Sequence, residues 1–212
     1  MTRTLLAYGD SNTYGTPPIS ERGGHDRFGP GIRWPSVALK YLGAGWDLVE
    51  EGLPGRTTRF ADPVMGAHMD GQPGLRIALQ SHGPIDVLSL MLGTNDLKSR
   101  FCPTPTRIAA GIAGLLDIAL GEDLQARHGG FQVLLICPAP VLETGPFAAE
   151  FLGARAISSQ LAPVYRALAE ARRIGFFDAG SVVTSCAEDG IHLDAPAHQA
   201  LGRAIGAEIL SL

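Results

Sequence analysis

Short apolar runs alternate with longer amphipathic segments along the whole chain, and this alternation constrains the fold more than any other feature of the sequence. The apolar runs predict five strands, at residues 4–8, 47–49, 86–92, 132–137 and 176–178. The amphipathic segments predict five helices, at residues 34–42, 75–82, 104–120, 158–173 and 196–210. Because strands and helices follow each other in turn, we expect an α/β fold in which a mostly parallel sheet carries helices on both faces.

The chain is predicted to form a single domain over residues 1–212. Its length suits one domain with a sizeable core, and no internal repeat, low-complexity tract or linker divides it. A hydrophobic share of 45% and a charged share of 18% are those of an ordinary globular protein, which argues against extensive disorder.

Charge and cysteine usage argue against several classes of partner and cofactor. A net charge of −4 without a basic run disfavours nucleic acid. The three cysteines form no C-x-x-C pair and the histidines no metal-ligand motif, so we expect no disulfide framework, no metal and no other cofactor. The sequence shows neither a membrane-spanning run nor a signal peptide. We therefore expect a cytoplasmic protein whose partner is a small neutral molecule or another copy of the chain.

Three long segments follow predicted strands and are expected to be functional. Residues 12–33 follow the first strand, 51–73 the second and 138–156 the fourth. Ligands of such sheets bind beyond the carboxyl ends of the strands, where these segments lie. Each segment carries large apolar side chains, so it has the surface to wall a pocket, to pack against another subunit, or both.

Residues suited to acyl transfer follow four of the five predicted strands. Ser11 comes after the first strand, Gly55 after the second, Asn95 after the third, and Asp189 and His192 after the fifth. Because the carboxyl ends of parallel strands share one edge of a sheet, we expect these residues to meet there. Each signal taken alone is more often an ordinary turn, and only the joint placement favours catalysis.

The expected roles follow from the chemistry of acyl transfer. A serine hydroxyl attacks only when a base takes its proton, which makes His192 the candidate base for Ser11. Asp189, three residues before the histidine, can fold back onto the imidazole and fix its tautomer. The developing oxyanion needs preset donors. The candidates are the backbone N–H groups of Ser11 and Gly55 and the side-chain amide of Asn95.

The sequence blocks around these residues resemble the SGNH hydrolases, also called GDSL-type esterases. The blocks are residues 8–15, 33–34, 50–58, 91–96, 177–181 and 189–192, and they are most similar to the arylesterase/acyltransferase branch. The resemblance implies a flavodoxin-like α/β/α fold with three layers and a five-stranded sheet. It implies the same roles for Ser11, Gly55, Asn95 and His192, with Asp189 as the acid. It also implies homo-oligomers, including octamers.

Three residues within these blocks, Asn12, Trp34 and Pro54, are expected to shape the substrate pocket. Asn12 stands where the family pattern has leucine, so its polarity is expected to alter the acyl or alcohol preference. Asp10 and Asp96 are expected to be structural and to hold their loops through side-chain to backbone hydrogen bonds.

The resulting hypothesis is a serine esterase that cleaves small carboxylic esters with short acyl groups, such as aryl or sugar acetates, through an acyl-Ser11 intermediate. Transfer of the acyl group to an alcohol uses the same site and stays open. The alternative is a non-catalytic protein that binds an anion or an acetylated sugar. The complete set of Ser11, Asp189 and His192 favours catalysis, because binding alone needs no base.

Overall fold

The computed structural model describes residues 2–212, which fold around a five-stranded sheet. The strands are β1 (Arg3–Gly9), β2 (Trp46–Gly52), β3 (Val87–Met91), β4 (Gln132–Cys137) and β5 (Gly175–Asp178). They lie in the order β2-β1-β3-β4-β5, and all four neighbouring pairs are parallel. The predicted α/β fold with a five-stranded parallel sheet is therefore confirmed.

Eight α-helices occur within the described residues. They are α1 (Ser11–Tyr14), α2 (Trp34–Leu42), α3 (Gly71–Ser81), α4 (Pro105–Ala119), α5 (Glu122–His128), α6 (Ala154–Ser158), α7 (Leu161–Arg172) and α8 (Ala195–Ser211). Short 3-10 turns at Ala67–Met69, Asn95–Leu97, Ser99–Phe101, Gly145–Phe151 and Ala179–Ser181 interrupt the loops. Between residues 2 and 212, no helix is both long enough and apolar enough to cross a membrane.

The core has two parts, one on each face of the sheet. Alternate residues of a strand point to opposite faces, so Leu6 and Tyr8 of β1 pack with α3, α4 and α7, whereas Leu5 and Ala7 pack with α2 and α8. Every residue of β3 is buried, as is expected for a central parallel strand. These two layers of helices fix β1 and β3 side by side, so the loops that follow them begin at neighbouring points of one sheet edge.

Helix α3 begins earlier than predicted, because glycine and proline near its start weaken the helical pattern in the sequence. The sequence predicts a helix over residues 75–82, but α3 already begins at Gly71. The Asp70 side chain caps it by accepting a hydrogen bond from the Gln72 N–H at 2.9 Å, and Pro73 lies in the first turn, where its missing N–H costs nothing. The helix predicted over residues 158–173 is α7, which begins at Leu161, and the sequence pattern does not predict the short helix α6 before it.

The packing of α8 against α2 generates a prediction about two glycines of α8. A Cβ at Gly202 would lie 2.5 Å from Val37 Cβ and 2.7 Å from the Trp34 carbonyl oxygen, and neither can move freely in the core. We expect Gly202→Ala to lower the free energy of unfolding by about 1–3 kcal/mol through overpacking, measured by urea denaturation.

Gly206 is the matched control, one turn further along α8. A Cβ there would lie 2.9 Å from Tyr41 Cδ1 and 3.0 Å from Tyr41 Cβ, but this residue is 49% exposed, so its ring can turn away and the remaining contact needs a shift of only a few tenths of an ångström. Gly206→Ala should leave the stability unchanged or raise it by up to about 1 kcal/mol, because alanine favours helix more than glycine does. Equal losses in the two variants would contradict the difference in packing.

Candidate active site

Ser11, His192 and Asp189 form a hydrogen-bonded chain at the carboxyl edge of the sheet. Ser11 Oγ lies 3.0 Å from His192 Nε2, and His192 Nδ1 lies 2.6 Å from Asp189 Oδ2. All three residues are buried. When Nδ1–H donates to the carboxylate, Nε2 is left as the atom that can accept the serine proton. The structure thus brings these three predicted residues into the arrangement of an activated nucleophile.

Ser11 begins α1 directly after the tight turn that ends β1. The Asp10 side chain caps this helix by accepting a hydrogen bond from the Asn12 N–H at 3.0 Å. Gly9 is required by close packing, because a Cβ there would collide with Thr13 Oγ1. As the first residue of the helix, Ser11 has a backbone N–H with no acceptor inside the helix, which suits it to bind an oxyanion.

Asp189 is anchored by four hydrogen bonds. Its Oδ1 accepts from the N–H groups of Ile191 and His192, both at 2.9 Å, and its Oδ2 accepts from the Ile19 N–H at 2.8 Å as well as from the imidazole. Gly190 has a φ of 76°, a left-handed conformation that favours glycine. Burial acts to raise the pKa of Asp189, but hydrogen bonds from His192 and the backbone hold that pKa below its ordinary value. The carboxylate therefore stays ionised beside the imidazole.

The other two candidate oxyanion donors line the same cavity as Ser11 and His192. Asn95 Nδ2 donates to the Arg56 carbonyl oxygen at 3.1 Å, which orients the amide and leaves its second N–H for a ligand. The backbone N–H of Gly55 has no acceptor among the described residues. Both groups are thus placed to donate to an oxyanion.

Asp10 and Asp96 are buried beneath the site. Asp96 accepts hydrogen bonds from the backbone N–H and the hydroxyl of Thr58, so it ties the loop that carries Asn95 to the loop that carries Gly55. Burial raises the pKa of Asp10 and of Asp96 to about 6 in each case. Their contacts agree with the loop-holding role expected for both.

Asn12 does not line the cavity, so its predicted place in the substrate pocket is corrected. Its Nδ2 donates to the Ile191 carbonyl oxygen at 3.1 Å, and its Oδ1 accepts from the Leu193 N–H at 3.0 Å. The side chain therefore binds the backbone on both sides of His192. The first turn of α1 directs the Asn12 side chain away from the cavity. Its amide therefore contacts the backbone around His192, the candidate base, and not the space open to a substrate.

Trp34 is also absent from the cavity wall, which corrects the second pocket prediction. It is fully buried in the core between α2 and α8, and its backbone N–H donates to His198 Nδ1 at 3.2 Å. Burial lowers the pKa of His198 to about 4, so the ring is neutral and Nδ1 can accept. Pro54, the third predicted pocket residue, does line the cavity.

The cavity has a volume of about 580 Å³ and is walled by the three long loops and the loop after β3, together with Ser11 and His192. Much of its wall is apolar, contributed by Leu53, Pro54, Val64, Met65, Phe147, Phe151 and Ile191. The size lies within the range of small-molecule sites. Within residues 2–212, no three His, Cys, Asp or Glu side chains are grouped to hold a metal ion.

A cluster of charged side chains in this wall is not predicted from the sequence. Arg100 lies 2.8 Å from Asp62 and 2.9 Å from Glu150, Glu150 lies 2.7 Å from Arg22, and Lys98 lies 3.7 Å from Asp62. These contacts join residues far apart in the chain, so no local pattern reveals them. The sequence indicates only the position of Lys98. It follows Asn95 by three residues, a spacing that places two side chains on the same side of a 3-10 turn.

Comparison with known proteins gives one family and a consistent set of structures. The GDSL-like Lipase/Acylhydrolase family model matches residues 7–200. An aryl esterase from M. smegmatis is 36% identical, with 100% of both chains covered and a TM-score of 0.94. A carbohydrate acetylesterase from Sinorhizobium meliloti is 36% identical, with 99% of both chains covered and a TM-score of 0.93. A putative arylesterase from Agrobacterium tumefaciens str. C58 is 36% identical over 99% of both chains, with a TM-score of 0.89. No curated protein sequence matches.

The position of Asn12 generates a prediction about the reactivity of Ser11. Asn12→Ala removes the two hydrogen bonds that the Asn12 side chain makes to the backbone on either side of His192 and leaves those from Asp189 in place. We expect the variant to react with a fluorophosphonate at Ser11 about 10-fold or more slowly, because the base is no longer held at hydrogen-bond distance. The rate of covalent mass increase measures this.

The control for Asn12→Ala is the thermal unfolding midpoint together with the NMR signal of the His192 Nδ1 proton. A folded variant whose Nδ1 proton signal has shifted or broadened supports a positioning role. Wild-type labelling rates would show that Asp189 alone is enough to place the imidazole.

Proposed function

The chain belongs to the GDSL-like lipase/acylhydrolase family and is an esterase of the SGNH type, and from that premise we propose that it hydrolyses small carboxylic esters with short acyl groups through an acyl-Ser11 intermediate. The observation that carries the proposal is the buried hydrogen-bonded chain from Ser11 through His192 to Asp189.

The reaction begins when His192 Nε2 takes the Ser11 hydroxyl proton as Oγ attacks the carbonyl carbon. The carbonyl oxygen becomes an oxyanion and receives hydrogen bonds from the N–H groups of Ser11, Gly55 and Asn95. The carbon–oxygen bond to the alcohol then breaks, and the imidazolium gives its proton to the leaving oxygen. Water, deprotonated by the same imidazole, attacks the acyl-serine; the acyl–Oγ bond then breaks and the imidazolium returns its proton to Ser11 Oγ, which releases the carboxylic acid and free Ser11. Asp189 stabilises the imidazolium in both halves.

We propose aryl and sugar acetates as the substrate class. Two similar proteins, each 36% identical over nearly their whole length, are an aryl esterase and a carbohydrate acetylesterase. The cavity of about 580 Å³ accommodates a ring-sized alcohol next to a small acyl group. The alternative, a protein that binds such molecules without cleaving them, does not account for the Ser11–His192 hydrogen bond, because binding alone needs no base.

Acyl transfer to alcohols is a second proposal for the same site. The apolar side chains of the cavity wall, such as Phe147, Val64 and Ile191, favour an alcohol over water next to the acyl-enzyme. Gas chromatography of a reaction with added alcohol in water should show the new ester along with free acid. Free acid as the sole product would contradict transfer.

We also propose that the chain forms homo-oligomers. Val64 and Leu152, in two of the loops that wall the cavity, are 75% and 73% exposed, and apolar side chains with this exposure on neighbouring loops favour burial against another copy. The oligomer would then border the cavity entrance.

The central test is Ser11→Ala. Loss of the nucleophile should lower turnover of p-nitrophenyl acetate by about 10⁶-fold or to the detection limit. Wild-type protein should gain the mass of one fluorophosphonate adduct, and the variant should gain none. Ser20→Ala, an exposed serine in the same loop, is the matched control and should keep wild-type rates. A wild-type protein that is neither labelled nor active would favour the binding alternative.

A further inference from the structure

Lys98 presents a buried ammonium group to the cavity that contains Ser11. Its side chain is 7% exposed, although lysine is the residue type that is least often buried without a partner. The chain has only two lysines, and the other, Lys40, is exposed on α2. A buried charged group in the wall of a cavity raises the question of which ligand it binds.

The ammonium group of Lys98 has no oxygen acceptor within hydrogen-bond distance among the described residues. Its only hydrogen-bond contact is Met65 Sδ at 3.5 Å, a weak acceptor, and Asp62 Oδ2 lies at 3.7 Å. Asp62 is already engaged, because Oδ1 accepts from the N–H groups of Val64 and Met65 and Oδ2 accepts from Arg100 at 2.8 Å. Asp62 thus balances the charge of Lys98 across 3.7 Å without accepting a hydrogen bond from it, and the N–H donors that Met65 does not take are available to a ligand in the cavity.

Lys98 also lies beside both candidate oxyanion donors. Its backbone N–H donates to the Asn95 carbonyl oxygen at 3.3 Å, which closes a 3-10 turn that aligns the two side chains. On the other side, the Met65 sulfur that Lys98 contacts packs against Gly55, where a Cβ would lie 2.8 Å from it. Lys98, Asn95 and Gly55 line one cavity, so an ester carbonyl held by the two donors shares that cavity with the ammonium group.

The environment of Lys98 favours a ligand that carries oxygen acceptors. Burial lowers the pKa of Lys98 and the nearby Arg100 lowers it further, whereas the carboxylates of Asp62 and Glu150 act to raise it, and the net shift is downward. A buried donor without an acceptor is costly, and an acceptor from a bound ligand removes that cost. A short acyl group fills only a small part of a cavity of about 580 Å³, so the remaining space holds the alcohol part of the ester.

We propose that Lys98 determines specificity by donating a hydrogen bond to an oxygen on the alcohol part of the substrate, either a hydroxyl or a carboxylate, so that oxygen-rich alcohols are preferred to apolar alcohols of the same size. The inference builds on the proposed esterase activity. It narrows the substrate class from small esters in general to acetates of polyhydroxylated or carboxylate-bearing alcohols.

The test compares Lys98→Met with wild type on matched esters. 6-O-acetylglucose and cyclohexylmethyl acetate have the same ring size and differ in their oxygens, and 4-acetoxybenzoate and 4-methylphenyl acetate differ in the carboxylate. We expect Lys98→Met to lower kcat/KM about 10- to 100-fold on the ester of one or both pairs that carries the acceptor. The apolar partner should change less than about 3-fold. The pair that responds identifies hydroxyl or carboxylate as the group recognised.

The controls separate this inference from the proposed function and from misfolding. Lys40→Met should match wild type on all four esters. Lys98→Arg keeps a cationic donor and should restore part of the preference, which loss of structure would not allow. Equal changes on both members of each pair, including no change at all, would overturn the inference while leaving the esterase intact. If wild type cleaves none of the four esters, the proposed function itself fails.

Discussion

Parallel pairing of β1 with β2 and β3 is the constraint on which the site depends. Because β1 lies between these strands, the chain leaves the sheet at one edge after Gly9, Gly52 and Met91. Strand pairing thus brings Ser11, the Gly55 loop and the Asn95 loop to one edge of the sheet, where the hydrogen bonds of Asp96 with Thr58 tie the last two together. The triad then needs only a fourth segment, residues 189–192, docked across this edge.

Much of the fold and the triad could be predicted from the sequence because both depend on local patterns. Apolar runs mark the strands, and chemistry-bearing residues directly follow them. Side-chain direction in short turns could not be predicted in this way. Asn12 follows Ser11 immediately yet faces the backbone around His192, and Trp34 lies in the apolar core although its neighbour Arg33 forms an ion pair with Glu50 of β2. In both cases a partner more than 150 residues away decides the orientation.

The charged side chains of the cavity wall could not be predicted from the sequence for a related reason. Asp62, Arg100, Glu150 and Arg22 belong to separate loops, and each is an unremarkable charged residue in its own segment. Only the folded chain shows that they connect, that they hold the loops against one another, and that Lys98 lies 3.7 Å from Asp62 without a hydrogen bond to it. Loops that carry specificity are therefore harder to predict than strands, because their structure is decided by contacts distant in sequence.

The Asn12 side chain, which binds the backbone on both sides of His192, has a consequence for folding kinetics. Its two hydrogen bonds, like the contact of Ser11 with His192, close a loop of nearly the entire chain, since the partners are 179 to 181 positions apart. Contacts of such separation form late, because loop-closure entropy must be overcome before they contribute. Recovery of nucleophile reactivity during refolding would therefore report the last docking step of the domain, later than the recovery of helical or core signals.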